Sequence, residues 1–471
     1  MLGSTTTVDG VELPYRPVSA MAAHVSQQEL GFQAFRAVLA VFMLLGAVGA
    51  VGGVKVDFTW DVDRERFDEL GLGEISDRPY DVTLANSEFF PISSGSPAMA
   101  AKVMLDPAKY GVERIPEAAI VHMTNPLVSA PDRAVMAEAL GKLRFVAVVS
   151  PWLSETADHY ADVVLPAATI EKYEGPFSAT DGYSDAVAVR LPPMKPLYDS
   201  RGEAEIYLDL CEQAGILFGD GGYLDRLNHA LGLGGAHALP LGRKPAVRTI
   251  FDRWARAQGH AEGIAFFEKL GVSVAGQIAV EKAYGYAARP RFGGVRHRLY
   301  GESLLSYREE MKARDVPEAY RRDYTPLPTW RAPTMERSPS GYDLYLISYK
   351  LIEFKQSRAS FVPLLAELAP EQRLTINPRT ARERSIGDGD EVWVESHNAV
   401  TGETRKLKTR ARFTETIRPD TVGMPHHYGL WTHPWSKGQG PSPNEILYTG
   451  EGYVASTGDQ SFHVKVRVTR A

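Results

Sequence analysis

Three predicted strands in the first half of the sequence are followed by residues that could bind a ligand. Asn125 follows the first strand, Ser150 ends the second and Pro166 closes the third, while Ser154 is suited to begin a helix. In an open parallel sheet, ligands bind outside the carboxyl ends of the strands, where loops present backbone amides and helix N-termini. This pattern indicates a nucleotide site, although Asn-Pro and Ser-Pro dipeptides also occur simply because they begin turns.

Histidines near the end of the chain indicate a different chemistry, that of a metal site. His426, His427 and His433 are close in sequence, but adjacent histidines on a strand point to opposite faces, and no nearby carboxylate has ligand spacing. We therefore predict no metal-binding residue. The sequence also has no phosphate loop of the Walker type, no Gly-x-Ser-x-Gly elbow and no dinucleotide fingerprint, so these patterns leave the catalytic residues unknown.

Composition narrows the classes of function. The 471 residues are 44% apolar and carry a formal net charge of −6, so two or three folded domains are expected. No long basic run is present, which argues against nucleic acid as a partner. The single cysteine, Cys211, excludes an intrachain disulfide, a cysteine zinc site and a cysteine-ligated iron–sulfur cluster within this chain. Its helical surroundings predict a small buried thiol.

The stretch Ala37–Val54 is apolar and long enough to span a bilayer. A Gly-Gly pair near its end would terminate a helix, and the stretch lacks the basic region of a signal peptide. We predict a buried core helix followed by a glycine turn, with a membrane span as the alternative. Residues 1–18 show no clear periodicity and are interpreted as a tail.

The elements that must position these residues follow from hydrophobic spacing. Apolar runs at residues 118–124, 144–150 and 162–166 predict strands, and helical spacing lies between them. Strands that alternate with helices at this distance pair in parallel through right-handed crossovers. We therefore predict an α/β fold, with a doubly wound parallel-sheet unit.

The rest of the chain divides around this unit. The last part is rich in short strands and contains the Gly-Asp turn of residues 386–390, which favours a small β-barrel. The predicted domains are a helix and loop-rich remnant at residues 1–115, the α/β unit at 116–215, a mixed helical insertion with a Pro-rich linker at 216–340, and the barrel at 341–471.

Motifs in both the α/β unit and the barrel segment occur together in one enzyme family. Ala161-Asp-Val-Val-Leu-Pro-Ala-Ala is preceded by Ser154-Glu-Thr-Ala and followed by Glu171-Lys-Tyr-Glu-Gly. The later segment contains Leu374-Thr-Ile-Asn-Pro and Ile386-Gly-Asp-Gly-Asp-Glu-Val-Trp-Val. In this order, the motifs resemble the C-terminal half of the catalytic subunit of molybdopterin oxidoreductases of the dimethyl-sulfoxide-reductase family. In that family a helix and a glycine turn lie just upstream, which favours the core helix over the membrane span.

The resemblance implies a double-psi β-barrel and a site for one arm of a molybdenum bis-molybdopterin guanine dinucleotide. Asn125, Ser150 and Lys172 match family positions that hold the guanosine end, and we expect them to converge on one crevice. The other matches are in the barrel, near the pterin: Ser348, Tyr349, Gln356, Ser357, Asn444 and His463. Lys172 as a solvated charge and His463 as an exposed strand residue remain the alternatives.

The sequence also departs from the family pattern. The second strand usually ends in Ser-Asp, whereas Pro151 follows Ser150 here, so a carboxylate expected near guanine is missing. The resemblance further implies a metal ligand and the cysteines of a [4Fe-4S] cluster in an N-terminal half. This sequence contains neither, so we expect a fragment, a truncated product or one part of a split enzyme, whose activity alone is doubtful.

The resemblance implies partners and a location as well. These are the missing half or its separate chain, an iron–sulfur electron-transfer subunit and a membrane anchor subunit, with a periplasmic or extracytoplasmic complex as the expected place. The Tyr349-Lys350 and Gln356-Ser-Arg pattern is similar to that of the polysulfide, thiosulfate and tetrathionate reductases. The alternatives are a non-catalytic subunit that keeps the fold without molybdenum, and an inert gene fragment.

Overall fold

The computed structural model describes residues 3–19, 25–54, 82–93, 97–178, 184–288 and 299–471. Residues 55–81, which belong to the predicted helix and loop-rich remnant, lie outside these ranges. Where the N-terminal part is described, it begins with an antiparallel hairpin of strands β1 (Thr5–Val8) and β2 (Val11–Pro14). The expectation of a tail over residues 1–18 is therefore wrong, because two strands of four residues are too short to show a clear alternation.

The apolar stretch forms part of helix α1 (Gly31–Leu44). The helix packs by one face only: Phe42 is 9% exposed, whereas Val41 is 51% exposed and Leu44 is 86% exposed. The prediction of a buried helix thus holds for one face. The glycine turn follows as predicted, and a Cβ on Gly53 would come within 1.8 Å of the Ala47 carbonyl oxygen. Within the described ranges, no helix has the length and apolarity needed to cross a membrane.

The α/β unit contains the three predicted parallel strands. Ser154 caps a helix as predicted, since its hydroxyl accepts a hydrogen bond from the backbone N–H of Ala157 at 3.2 Å. Strand order follows the chain, so β4 is central. The elements are α2 (Pro97–Leu105), β3 (Ala118–His122), α3 (Pro126–Ser129), α4 (Arg133–Leu140), β4 (Phe145–Ser150), α5 (Glu155–Tyr160) and β5 (Val163–Pro166).

Helices cover both faces of this sheet. Val148 is fully buried and packs in one cluster with Ala157 of α5, on one face. Val149, whose side chain points to the opposite face, packs with Ile206. Ile206 belongs to a later helix, at Glu203–Gln213. The α/β unit is therefore a sheet between two helical layers, and the predicted fold class is confirmed.

The middle of the chain combines an antiparallel sheet, in the order β6–β7–β8, with several helices. Its core includes the fully buried Leu224 and Phe267, together with Trp254. Cys211 packs at the edge of this core and is half-buried, and burial raises the pKa of its thiol. The elements are β6 (Glu174–Ser178), β7 (Ser184–Arg190), α6 (Glu203–Gln213), α7 (Tyr223–Ala230), α8 (Val247–Ala257), α9 (Ile264–Leu270), β8 (Val272–Gln277), α10 (Val280–Ala283), α11 (Gly285–Ala288), α12 (Gly301–Ala313) and α13 (Glu318–Arg321).

The last part forms a closed six-stranded barrel, in the order β10–β12–β11–β14–β9–β13. Two neighbouring pairs, β10–β12 and β9–β13, are parallel, and the others are antiparallel. The predicted barrel is therefore confirmed. Its elements are β9 (Leu344–Tyr349), α14 (Pro363–Leu368), β10 (Arg373–Ile376), α15 (Pro378–Glu383), β11 (Glu391–His397), β12 (Thr404–Phe413), β13 (Thr421–Pro425) and β14 (His463–Arg470).

Alternation along the strands builds the barrel interior. Leu346, Val394 and Val466 are fully buried, and each comes from a different strand. The predicted turn before β11 contains Gly389 at a φ of 82° and a hydrogen bond of 2.9 Å from the Gly387 N–H to the Asp390 carboxylate. Because β9 and β13 are parallel, the residues that directly follow them lie at the same end of the barrel, the end that faces the α/β unit.

Candidate functional site

A cavity of about 1250 Å³ lies between the α/β unit and the barrel. We call it the cleft. The outer strand β3 and helices α2 and α4 line one wall, and the barrel lines the other with the end of β9 and the start of β14. Six of the residues predicted from sequence line this one cavity: Ser348, Tyr349, Gln356, Ser357, Asn444 and His463. Their contact with a cofactor stays a prediction.

The parallel pairing of β9 with β13 brings together two chain segments on the barrel wall. Tyr349 lies opposite Pro425, so His426 follows next to the end of β9. The His426 ring nitrogen Nε2 lies 3.3 Å from the side-chain oxygen of Gln356. Burial, together with His427 and Lys350, lowers the pKa of His426 to about 4. The imidazole is therefore neutral at neutral pH and can exchange hydrogen bonds inside the cleft.

Tyr349 and His463 also have pKa values shifted by burial. The pKa of the Tyr349 hydroxyl is raised, chiefly because the cleft wall removes it from water. Burial lowers the pKa of His463 for the same reason, since a charged imidazole loses its hydration there. Both groups are uncharged at neutral pH. Tyr349, His426 and His463 thus present neutral polar groups, which suit a ligand that is recognised by directed hydrogen bonds, and the Lys350 side chain lines the same wall.

Asn444 is 3% exposed, lines the cleft and has one unpaired acceptor in its side chain. Its side-chain nitrogen donates hydrogen bonds to the carbonyl oxygens of Val128, at 2.8 Å, and Ser129, at 3.1 Å. Its side-chain oxygen is buried and has no hydrogen-bond partner among the described residues. A buried amide oxygen without a partner costs about 1–3 kcal/mol, so this atom indicates a missing donor.

Asn125 is 6% exposed and uses its side chain within the protein. Its amide nitrogen donates to the Glu155 carboxylate at 2.7 Å, and its oxygen accepts from the hydroxyl of Thr156 at 2.8 Å. The other oxygen of Glu155 accepts hydrogen bonds from the backbone N–H groups of Trp431, at 2.9 Å, and Thr432, at 3.2 Å. Asn125 therefore belongs to a buried network that attaches the α/β unit to a barrel loop.

Ser150 and Lys172 are also bonded within the protein. The Ser150 hydroxyl donates to the carbonyl oxygen of Trp152 at 2.7 Å, as expected of a turn. Lys172 is buried and forms ion pairs with Glu174, at 3.0 Å, and with Glu203. It lines a separate cavity of about 380 Å³. The alternative of a solvated Lys172 charge is therefore wrong, because two carboxylates enclose the amine.

The structure thus separates the predicted residues into two groups. Those of the barrel line the cleft, whereas Asn125, Ser150 and Lys172 are not among its lining residues. All three lie at the carboxyl edge of the parallel sheet, and Glu203 joins Lys172 to this edge because it lies 3.7 Å from the His122 ring. Their expected convergence on one guanosine crevice is not seen as a shared cavity, and their contact with guanosine stays a prediction.

Two family models match the sequences of the two domains that form the cleft. The family model "Molybdopterin oxidoreductase" matches residues 11–213, and the model of the molybdopterin dinucleotide binding domain matches residues 344–462. The two walls of the cleft therefore come from two domains that occur together in one family. The chain belongs to the molybdopterin oxidoreductase family.

Curated relatives within the family are longer than the matched part of this chain. The thiosulfate reductase molybdopterin-containing subunit PhsA of Salmonella typhimurium is 28% identical over 317 residues, which are 64% of this chain and 36% of that subunit. The assimilatory nitrate reductase catalytic subunit of Bacillus subtilis is 25% identical over 320 residues, 65% of this chain and 36% of that subunit. The chain spans about a third of the length of these relatives.

A solved structure has the same fold. Acetylene hydratase from Pelobacter acetylenicus superposes with a TM-score of 0.57 at 14% identity, covering 80% of this chain and 47% of that enzyme. At this identity the likeness concerns the fold alone. It extends beyond the two matched domains, since 80% of this chain is covered.

Several residues that line the cleft, or that connect the α/β unit to the barrel, were not predicted from the sequence. Glu155 directly follows the N-cap Ser154, and acidic residues are common in a first helical turn, so it carried no special signal. His426 was considered only as a metal ligand, although a histidine directly after an apolar strand indicates a position at a barrel end. Across the described residues, no group of three or more His, Cys, Asp or Glu side chains could hold a metal ion.

Proposed function

We propose that this chain forms one side of the site for a molybdenum bis-molybdopterin guanine dinucleotide in a two-electron oxidoreductase. One observation carries the proposal: six residues named from sequence line one cleft between the two matched domains, and one of them, Asn444, has a buried acceptor without a partner among the described residues. The volume of the cleft, about 1250 Å³, exceeds that of pockets for drug-sized ligands, which are about 300–1,000 Å³. A dinucleotide is larger than such a ligand.

The residues of the cleft fit the hydrogen-bonding character of a pterin. The oxygen of Asn444 requires an N–H donor, and pterin and guanine both present such groups. Ser348, Ser357 and Gln356 offer groups that both donate and accept. When bound, the cofactor supplies a metal that changes by two electrons during transfer of an oxygen or sulfur atom. The protein binds and orients it, and the neutral Nε2 of His426 can hold a proton beside it.

A sulfur compound is the substrate class that we propose. The support is the identity of 28% with a thiosulfate reductase subunit, together with the barrel sequence around Tyr349-Lys350 and Gln356. A catalytic subunit named for nitrate is 25% identical over a similar length, so the substrate itself must be measured. Turnover of thiosulfate, polysulfide and tetrathionate against nitrate, in the assembled enzyme with a reduced dye as donor, tests this class.

We propose that the metal ligand and the [4Fe-4S] cluster come from the part of the protein, or the partner chain, that corresponds to the rest of these relatives. Both relatives are named as subunits, which supports an assembly with further chains. An iron–sulfur electron-transfer subunit and a membrane anchor are the partners that we propose, in an extracytoplasmic complex. Purification of the native complex, with identification of its chains, tests this assembly.

Cofactor content tests the central proposal. The chain should be purified from cells that make the guanine dinucleotide, and then analysed for molybdenum and for pterin fluorescence after oxidation. We expect pterin to co-purify with the wild-type chain, and its content to fall about tenfold when Asn444 is replaced by Leu, since about 1.4 kcal/mol corresponds to a factor of ten. Pterin-free wild-type protein, in isolation and in its native complex, would contradict the proposal and favour a subunit that keeps the fold without the cofactor.

A further inference from the structure

His427 lies directly behind the barrel wall of the cleft and is fully buried. Its ring nitrogen Nε2 accepts a hydrogen bond from the backbone N–H of Leu351 at 3.0 Å. Its other ring nitrogen, Nδ1, lies 2.6 Å from the carbonyl oxygen of Gln356. A backbone N–H can only donate, so Nε2 carries no proton, and Nδ1 must carry it and donate to Gln356. One neutral imidazole therefore binds two positions of the same loop.

This loop, residues 350–358, carries part of the cleft wall. Lys350, Gln356 and Ser357 line the cleft, although the segment has no helix or regular strand. The loop therefore has few internal hydrogen bonds to keep its shape; those described include the pair between the backbones of Lys355 and Arg358. A loop of this kind holds its side chains in place only when it is attached to a rigid element. The end of β13, which leads to His427, is such an element.

The backbone at Gln356 shows why an attachment is needed there. Its φ is 53°, in the left-handed region, which costs about 1–3 kcal/mol for a residue other than glycine and persists only when the surroundings fix it. The hydrogen bond from His427 ends on the carbonyl group of this residue. A third attachment lies at the far end of the loop, where the Ser360 hydroxyl donates to the His427 carbonyl oxygen at 3.2 Å.

We propose that His427 is a positioning residue, which holds residues 351–357 in the conformation that places Gln356 and Ser357 on the cleft wall. The inference rests on the proposed function only for the identity of the ligand that the cleft wall binds. His427 itself does not line the cleft. Its substitution should therefore act through the shape of the loop, and this shape can be measured without any cofactor.

Three variants separate this role from general packing. His427→Phe keeps an aromatic ring beside Phe354, whose centroid lies 5.6 Å away, but removes both hydrogen bonds. His427→Gln retains one donor and one acceptor. Ser360→Ala removes only the third attachment. The matched control is His433→Phe, because the His433 ring also lies next to a phenylalanine, Phe361, with the ring centroids 4.4 Å apart. Its Nε2 has no hydrogen-bond partner in the described part of the chain.

The first measurement is hydrogen exchange of the amides of residues 351–358 in the chain without cofactor. We expect exchange to become at least tenfold faster in His427→Phe, about twofold to threefold faster in Ser360→Ala, and near the wild-type rate in His427→Gln and His433→Phe. The second measurement is pterin content in cells that make the dinucleotide, which should follow the same order. If His427→Phe does not fold, Ser360→Ala still decides, because it removes one attachment between the loop and His427 and leaves the imidazole in place.

The two measurements distinguish the failure of this inference from that of the proposed function. Unchanged exchange in His427→Phe or Ser360→Ala, or a change in His433→Phe of equal size, would overturn the role of His427. Wild-type protein without pterin, combined with faster exchange in His427→Phe, would overturn the proposed function and leave the positioning role intact.

Discussion

The α/β unit and the barrel use their polar residues in different ways. On the α/β side, Asn125 and Lys172 are buried and their polar groups are satisfied by Glu155, Thr156, Glu174 and Glu203. On the barrel side, Gln356 is exposed to the cleft and Asn444 leaves its oxygen unpaired. A match to a family motif therefore has two possible causes, ligand binding and attachment of one domain to another. The hydrogen-bond partners distinguish them.

The largest effect is expected where the α/β unit is attached to the barrel. Glu155 is 2% exposed, and its carboxylate accepts hydrogen bonds from both domains. Glu155→Ala leaves buried donors without partners and should lower the free energy of unfolding by about 3–5 kcal/mol. Urea denaturation measures this loss, and Glu138→Ala, on the exposed side of α4, is the control. An equal loss in the two variants would contradict the attachment role.

A smaller loss of stability is expected from Asn125→Leu. The substitution removes three hydrogen bonds that are buried between Asn125, Glu155 and Thr156, and it should cost about 2–4 kcal/mol. Because the Asn125 side chain is satisfied within the protein, we expect pterin content to fall only as far as the folded fraction does. Pterin content per folded molecule, measured beside urea denaturation, checks this. A tenfold fall at unchanged stability would instead place Asn125 in direct contact with the guanosine.

Lys172→Met tests the third residue of the α/β side. Its removal leaves Glu174 and Glu203 without their shared cation, at side-chain exposures of 21% and 15%, and should cost about 1–3 kcal/mol. Exposed Lys142→Met, at a solvent-facing position, is the control. If Lys172 serves only to form these ion pairs, binding of the dinucleotide should change little. A loss of affinity that becomes smaller at high salt would reveal a phosphate or guanosine contact.

Acid should destabilise the protein through the buried histidines of the barrel side. The pKa of His426 is lowered to about 4, and burial lowers the pKa values of His427 and His463 too. Because the unfolded chain takes up these protons at a higher pH, near 6.5, stability is full above that pH and declines as the pH falls toward the folded values. We expect a loss of about 1–2 kcal/mol between pH 7 and pH 5. His463→Phe should reduce this dependence in urea denaturation.

The smallest effect on stability is expected from Gln356→Ala. The side chain is exposed to the cleft, so the free energy of unfolding should change by less than about 0.5 kcal/mol. Pterin content should nevertheless fall several-fold, the opposite of the pattern expected for Asn125→Leu. Lys355→Ala is the matched control, because this exposed neighbour lies in the same loop but not among the lining residues. Equal pterin content in the wild type, Gln356→Ala and Lys355→Ala would contradict the proposed difference between the α/β side and the barrel side.

The spacing of apolar residues and the order of the motifs were enough to predict much of the fold and several residues of the cleft. The three parallel strands, the N-cap at Ser154 and the glycine turn after α1 all follow from local rules of spacing and backbone conformation. The six residues of the barrel wall were also identified, because their motifs occur in a fixed order within the family. Local rules did not predict the short hairpin β1–β2 or the exposed face of α1.

Only the tertiary structure decided what each polar residue binds. Asn125 meets Glu155 across 30 positions, Glu155 meets Trp431 across 276, and His427 meets Leu351 across 76. Such contacts depend on how the sheet, the barrel and their loops pack, and no local pattern encodes them. A buried amide or imidazole must find partners wherever packing places them, because an unsatisfied polar group costs about 1–3 kcal/mol. The sequence therefore identifies the candidate polar residues, and packing determines which of them remain available to a ligand.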